Sequence, residues 1–390
     1  MTPFENLKVL DLTHVLAGPY ATYQLAVLGA EVIRIEDPDG DMVRPTGGRA
    51  ELRARGLGTS FLAQNANKKS VSLDLKKAEG RRAAFALARQ ADVIVENHRA
   101  GVMARAGLGY DKVSAVNPKV VYCSMTGFGQ KGPGAGHGAY DNVIQAASGL
   151  MGLNGTPETR PVMIGAPLLD YATGYAAAFA ISAALLQRER TGRGQRIDVS
   201  MLNVAMTLMS NIAARELDGD PFTPRNGNDG PNAAYGCYET AEGHLMIGAY
   251  SPKESARLFR FLGEEDEARI VEELKVEELP QRKVVQRAIL ERILPSRPAA
   301  GWAQALQEAG VPAARVNTVP EAIAMARASG QKVFAPLPHA PHLEDMTVDV
   351  PVAGFAFEHG GPKLRRAAAL HGGDTEDVLK QIESNGDPWA

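Results

Sequence analysis

The sequence predicts an α/β protein with a large, doubly wound domain and a smaller α+β domain. Three observations predict it. Short β-branched runs alternate with Ala/Leu-rich stretches of helical length through the first half, the pattern of a parallel sheet covered on both faces. Asp218–Gly230 is rich in Asp, Gly, Pro and Asn, a linker composition. The chain has 390 residues, more than one hydrophobic core usually organises.

The elements follow in order. Leu7–Thr13 reads as a strand and Pro19–Leu28 as a helix stopped by Gly29. Glu31–Glu36 is a second strand and Val71–Leu75 a third. Lys77–Gln90 reads as a helix, and Asp92–Asn97 and Lys119–Thr126 as further strands. A strongly apolar helix runs from Tyr171 through Leu186. Thr191–Gln195 turns into the strand Arg196–Ser200, and Met201–Leu217 is again helical. Beyond the linker, Tyr235–Thr240 and His244–Ala249 form a hairpin across Ala241-Glu-Gly243. Helices follow at Pro252–Phe261, Pro280–Leu294 and Ala299–Ala309. Leu337–Glu358, punctuated by proline and glycine, leads to a last helix at Thr375–Ser384. The predicted domains are 1–217, a linker 218–230, a small domain 231–325, and a return segment 326–390 completing the large, Rossmann-like domain.

Composition excludes several classes. Hydrophobic residues make up 45% and charged residues 22%, as in an ordinary globular protein. A net charge of −3 offers no basic face for nucleic acid. No stretch reads as the roughly 18 apolar residues of a membrane span. Met1–Asn6 runs straight into the first strand without a secretion signal, so a cytoplasmic location is expected. Two cysteines, Cys123 and Cys237, are too few for a disulfide framework or a thiolate zinc site. His339 and His342 are flanked by prolines, and Asp37–Asp41 lacks the glutamate that closes a calcium loop. The first reads as a loop feature and the second as a solvated turn, so no metal is expected. Gly127-Phe-Gly-Gln-Lys-Gly132 has the glycine spacing of a dinucleotide fingerprint, but Pro133 and the glycines after it open no helix to receive a pyrophosphate. These glycines read as a mobile loop over a site.

In an open parallel sheet the ligand lies beyond the carboxyl ends of the strands. Here those ends are His14–Pro19, Glu36–Pro38, Asn97–Gly101 and Gly127–Gln130, all polar or small. One further residue carries chemistry. Asp170 lies in Gly165-Ala-Pro-Leu-Leu-Asp-Tyr-Ala-Thr-Gly174, between an apolar run and small residues. Two readings stand: a helix N-cap, or a carboxylate nucleophile that divides an acyl exchange into two easier steps.

These residues carry a resemblance. The chain resembles the class III CoA-transferases, the formyl-CoA, carnitine and bile-acid CoA-transferase group that includes the α-methylacyl-CoA racemases. The likeness covers essentially the whole chain. It is most specific at Leu7–Pro19, Gly29–Glu36, Asn67–Leu75, Ala91–Asn97, Gly127–Gln130, Gly165–Gly174 and Thr191–Gln195.

The resemblance implies that Asp170 is the catalytic nucleophile and that coenzyme A, as acyl-CoA substrate, binds along the strand ends. No tightly bound cofactor is implied. The positions matching CoA contacts are His14, Val15, Leu16, Ala17, Asn97 and Arg105, with Lys68 and Lys69 as weaker candidates. Gly127–Gln130, notably Gly127 and Gly129, would offer backbone donors to an oxyanion. Tyr140 matches the position where racemases carry a basic histidine, with His137 three residues away. Transferase is therefore preferred, with racemase as the alternative and a non-catalytic CoA-binding protein as a second. The partners implied are an acyl-CoA, a small carboxylic acid and a second copy of the chain in an interlaced homodimer. Its active site would lie where the large lobe of one copy meets the small lobe of the other.

Three departures bear on substrate. Leu16 replaces a glutamine of the formyl-CoA branch, which disfavours formate or oxalate as the acyl group. Asp37 stands where that branch has an arginine. Its glycine-rich active-site tetrad is missing, with Asn226–Gly230 at the nearest place. Arg225, Asn228 and Tyr235 are candidate contacts to a dicarboxylate.

Overall fold

The computed structural model describes every residue except Arg225, Asn385 and Ala390, so the candidate contact at Arg225 lies outside the described residues. Six strands form one parallel sheet: β1 (Lys8–Leu12), β2 (Glu31–Glu36), β3 (Lys68–Ser72), β4 (Val93–Glu96), β5 (Val121–Thr126) and β6 (Gln195–Ser200). Their order is β3-β2-β1-β4-β5-β6, with all five pairings parallel. This is the doubly wound order whose direction reverses between β1 and β4.

Alternate residues of each strand feed different cores. Leu10, Ile33, Ile94 and Tyr122 pack with Leu87, Ala88 and Val378. Val9, Val32, Val93 and Val121 pack with Ala21, Leu25, Ala177 and Ile181. Strands buried on both faces read as near-continuous apolar runs, which is why Val93-Ile-Val and its neighbours show little polar alternation.

The helices Ala78–Ala88 and Thr375–Glu383 cover the first face. The second is covered by Ala17–Val27 and by a long helix, Leu168–Thr191. The latter two approach closely: a Cβ on Gly174 would lie 2.8 Å from the Ala17 carbonyl oxygen and 2.9 Å from the Tyr20 ring. The small residues after Asp170 are thus a packing requirement. That contact brings the chain leaving β1 beside the start of the long helix.

The chain forms two compact units. One comprises Met1–Ser148, Ile164–Leu217 and Arg327–Ala390, and the other Gly149–Met163 and Asp218–Ala326. The smaller unit has an antiparallel sheet of β7 (Tyr235–Glu239), β8 (His244–Gly248) and β9 (Ala313–Arg315). Its core contains Leu245, Ile247, Leu258, Phe259, Leu290 and Trp302. Its helix Pro252–Phe261 starts with a reciprocal capping box between Ser251 and Glu254, which satisfies two otherwise orphaned donors.

Several expectations need correction. Strand β3, at the sheet's edge, begins at Lys68, three residues before the predicted start, because the Lys68 charge is paired with Asp11 and does not bar it from the ladder with β2. The predicted helix Met201–Leu217 is two helices, Met201–Leu208 and Ser210–Leu217. Gly149–Met163 belongs to the smaller unit, where the sequence reading leaves it in the large domain. Leu168–Thr191 is long and apolar enough to cross a membrane by length and composition, against the expectation. Here its apolar residues Ala177, Ile181 and Leu185 are buried in the second core. Asp41 is no solvated turn residue. It is buried in an ion pair with Arg34.

Candidate active site

The strand ends converge at the reversal between β1 and β4. The Asn97 carboxamide accepts from the His14 N–H at 2.9 Å and donates to the His14 carbonyl at 2.8 Å. The Val15 N–H bonds Asp41 at 2.9 Å, and Gln64 donates to the Val15 carbonyl at 3.1 Å. Val15 itself has a left-handed backbone, φ 65°, a conformation costly for a β-branched residue. Beside it the His14 and His98 rings lie 5.0 Å apart. Burial holds both imidazoles below the usual histidine range; His98, which also feels the charge of His14, falls to about 4.

Asp170 is the third residue of the long helix, and Pro167 holds the cap position without a side-chain bond. The N-cap reading is therefore wrong. The cap comes from Asp141, the first residue of the helix Asp141–Ala147. Its Oδ2 accepts from the Leu169 N–H at 2.7 Å and from the Asp170 N–H at 3.1 Å. Its Oδ1 accepts from the Gln145 amide, whose Oε1 accepts from the Ile164 N–H at 2.8 Å. Asp141 is 7% exposed, with both oxygens engaged.

Asp170 thus has a second carboxylate at its own helix start. Burial first, and the Asp141 charge second, push its carboxyl up to about 7. The helix N-terminus opposes this by only about 0.3–1 kcal/mol. Among the described residues no cation forms an ion pair with Asp170, so the carboxylate is more basic than usual at neutral pH.

A cleft of about 540 Å³ opens at these strand ends, lined by His14, Asn97–Ala100, Gly127–Gly129, His137 and Tyr140. Tyr140 is 59% exposed there and immediately precedes Asp141. His137 packs edge-on to Phe128, ring centroids 6.2 Å apart. Gly127 is required by close approach, since a Cβ would lie 2.4 Å from that of Ala139. In the Gly127–Gln130 loop two N–H groups are already committed: Gly129 to Thr126 at 2.9 Å and Gln130 to Asp198 at 3.1 Å. Gly129 is therefore a poorer oxyanion donor than expected.

The remaining candidates divide. Val15 and Leu16 lie on the turn, and Ala17 starts the first helix. Arg105 is exposed at the end of the helix Val102–Arg105 and curls back over Gly101, outside the lining of that cleft. Lys68 does not reach the cleft at all. It is 2% exposed, with Nζ bonded to Asp11 at 3.0 Å, the Pro19 carbonyl at 2.8 Å and Asn65 at 3.0 Å. Lys69 lies at the opposite, amino ends of the strands, bonded to the Trp389 carbonyl.

Sequence reasoning missed Asp141, Gln145, Asp41, Gln64 and Arg99. Asp141 and Gln145, one helical turn apart after Tyr140, carried a signal, an acidic residue at a helix start. Arg99 also lines the cleft, and Gly138 gives it room, since a Cβ there would lie 2.7 Å from the guanidinium.

The chain has an α/β fold with a cleft at the carboxyl ends of a parallel sheet; Asp170, in the first turn of the long helix, lies outside that cleft's lining and has no ion-pair partner among the described residues. A family model described as CoA-transferase family III matches residues 4–375, and the chain belongs to that family. It is 34% identical over 391 residues to succinyl-CoA:glutarate CoA-transferase of Mus musculus, covering 98% of this chain and 87% of that protein. It is 33% identical to acetyl-CoA:oxalate CoA-transferase of Acetobacter aceti, over 94% and 95% of the two chains. A CAIB/BAIF family protein from Brucella suis has the same fold, with TM-score 0.83 and 30% identity over 98% of this chain and 99% of that one.

Proposed function

We propose that the protein moves CoA from an acyl-CoA to a free carboxylic acid through covalent intermediates on Asp170. The observation that carries this reading is the Asp170 carboxylate, raised to about 7 at a helix start capped by another carboxylate. Raised basicity makes a carboxylate a better nucleophile, and a site with no paired cation leaves its lone pairs free to react.

The steps balance with carboxylate and thiolate chemistry alone. An Asp170 oxygen attacks the thioester carbonyl; the C–S bond breaks and CoA leaves as thiolate, giving an acyl-aspartyl anhydride. The thiolate attacks the aspartyl carbonyl, releasing the donor acid and leaving an aspartyl-CoA thioester. The acceptor carboxylate attacks that thioester and again expels the thiolate. Finally the thiolate attacks the acceptor's acyl carbon, forming the new acyl-CoA and restoring Asp170.

The acyl-CoA would lie along the His14–Ala17 turn and the Asn97–Ala100 strand end, with Asp170 facing the thioester. Arg99 suits an anionic group of the substrate, a phosphate or a second carboxylate. Relatives named for succinate, glutarate and mesaconate support a dicarboxylate acceptor. The oxalate-named relative weakens the argument from Leu16 against the smallest acids. The proposal includes the homodimer that the resemblance implies.

Trapping tests it. The protein is incubated with succinyl-CoA, treated with hydroxylamine, and its peptides are mapped by mass spectrometry. A hydroxamate at Asp170 is the expected result. Exchange of the α-hydrogen of a 2-methylacyl-CoA for deuterium, without label, would point instead to racemisation with His137 as a base. Absence of both would overturn the proposal.

A further inference from the structure

Every backbone polar group from the Thr13 N–H to the Val15 carbonyl is held by a side chain, apart from the Thr13 carbonyl. Asp11 takes the Thr13 N–H at 3.0 Å. Asn97 takes both groups of His14, and Asp41 and Gln64 take those of Val15. These four side chains come from β1, from the end of β4, from the loop after β2 and from the segment before β3. Asp41 is 8% exposed and Gln64 fully buried. They hold three consecutive residues, and the last of these, Val15, has a left-handed conformation that valine disfavours.

Strain of this kind persists only where surroundings over-determine it, and it gathers where geometry serves a ligand. Asn97 commits one amide N–H and one oxygen lone pair to His14, so its orientation is set by that backbone and only the second N–H and lone pair stay open to a ligand. A residue expected to touch CoA is therefore also a bracket for the turn beside it.

We propose that Asn97, Asp41 and Gln64 are positioning residues that form a clamp, holding the turn His14–Leu16 in a strained shape that CoA binding requires. The clamp deepens the reading of the cleft as the CoA site and rests on it. Asn97 acts through the backbone of its neighbour across the sheet's reversal, not by contact with the nucleotide. The left-handed Val15 turns the chain from β1 into the first helix, whose start lies beside Gly174 of the long helix. A relaxed turn would move that helix start relative to Asp170.

A double-mutant cycle on the whole protein tests this. Glycine adopts a positive φ without strain, so Val15→Gly lessens the turn's need for restraint. Asn97→Ala is made with and without Val15→Gly, and CoA binding is measured by calorimetry alongside the thermal midpoint. Asn97→Ala should weaken CoA binding at least about tenfold alone and less than about threefold in the Val15→Gly background. The midpoint should show the same rescue. Equal losses in both backgrounds would overturn the clamp and return Asn97 to direct contact.

Gln64→Ala repeats the cycle from a different element and decides the matter should Asn97→Ala not fold. Should the unmutated protein fail to bind CoA, the reading of the cleft fails, while the midpoints still judge the clamp. A missing trapped adduct at Asp170 together with normal CoA binding would count against the mechanism alone.

Discussion

Two groups of carboxylates, one buried under the parallel sheet's strand ends and one centred on the half-buried Asp170 at a helix start, behave oppositely. Under the ends of β1–β3, Asp11, Glu36 and Asp41 face Lys68, Arg34 and Arg44. Lys68 bonds Asp11 at 3.0 Å, Arg44 bonds Glu36 at 2.6 Å, and Arg34 pairs with Asp41. Burial works against these charges, but Lys68 and Arg34, with the Thr13 and Thr22 hydroxyls, hold Asp11 below the usual carboxylate range. Glu36, against the same penalty, falls to about 2 beside Arg44 and Arg34. Asp170 meets the burial penalty with another acid beside it and rises to about 7. Pairing makes a buried acid structural, and withholding the partner makes one reactive.

Removing the unpaired acid tests the reactive side and carries the largest effect. Asp170→Asn should cut transfer from succinyl-CoA at least about 10³-fold. The fold should gain stability at pH 8. The folded-state value of about 7 exceeds the ordinary 3.8 of an aspartate, so the folded protein holds an extra proton between them. Stability from this group therefore falls as pH rises through that window. Asparagine removes the loss, so the thermal midpoint should rise at pH 8 and match wild type near pH 4. Transfer within tenfold of wild type would break the comparison at its reactive end.

The paired side predicts the reverse, a large structural cost. Asp11→Ala leaves the buried Lys68 ammonium with the neutral Pro19 carbonyl and Asn65 carboxamide but without its ion-pair partner. Removing one partner of a buried pair typically costs about 3–5 kcal/mol. Urea unfolding should show a loss of that size. A loss under about 1 kcal/mol would mean that the network is wetter than its burial suggests.

Much of this arrangement was legible in the sequence. The alternation of Leu7–Thr13, Glu31–Glu36 and Asp92–Asn97 with helical stretches predicts the parallel sheet, because strands buried on two faces leave continuous apolar runs. The strand-end rule then places His14, Asn97 and Gly127 at one cleft before any coordinates exist. Long-range pairing was not legible. Nothing local marks Lys68 as the partner of Asp11, 57 residues away, so its charge read as a phosphate contact. Asp170 looked like a cap because helix starts favour acids. The real cap arrives from Asp141, 29 residues earlier, and only the folded chain joins them.

That junction gives the subtlest test, since Asp141 both caps the helix and raises Asp170. Asp141→Asn keeps an oxygen to accept from the Leu169 and Asp170 N–H groups but removes the charge. The cap should survive, but the new amide nitrogen faces the Gln145 amide nitrogen where Oδ1 accepted, so the variant should lose about 1–2 kcal/mol of stability. The Asp170 carboxyl should titrate lower, since burial alone would then oppose its ionisation. The acid limb of kcat/KM, which reports the free enzyme, should move down by about one pH unit, equal to about 1.4 kcal/mol. Asp141→Ala should move the limb similarly and also lose the cap, costing about 1 kcal/mol more stability. A limb that stays in place in both variants would assign the raised value to burial alone. Asp141 would then be structural like Asp11, and the contrast between the two groups would rest on Asp170 by itself.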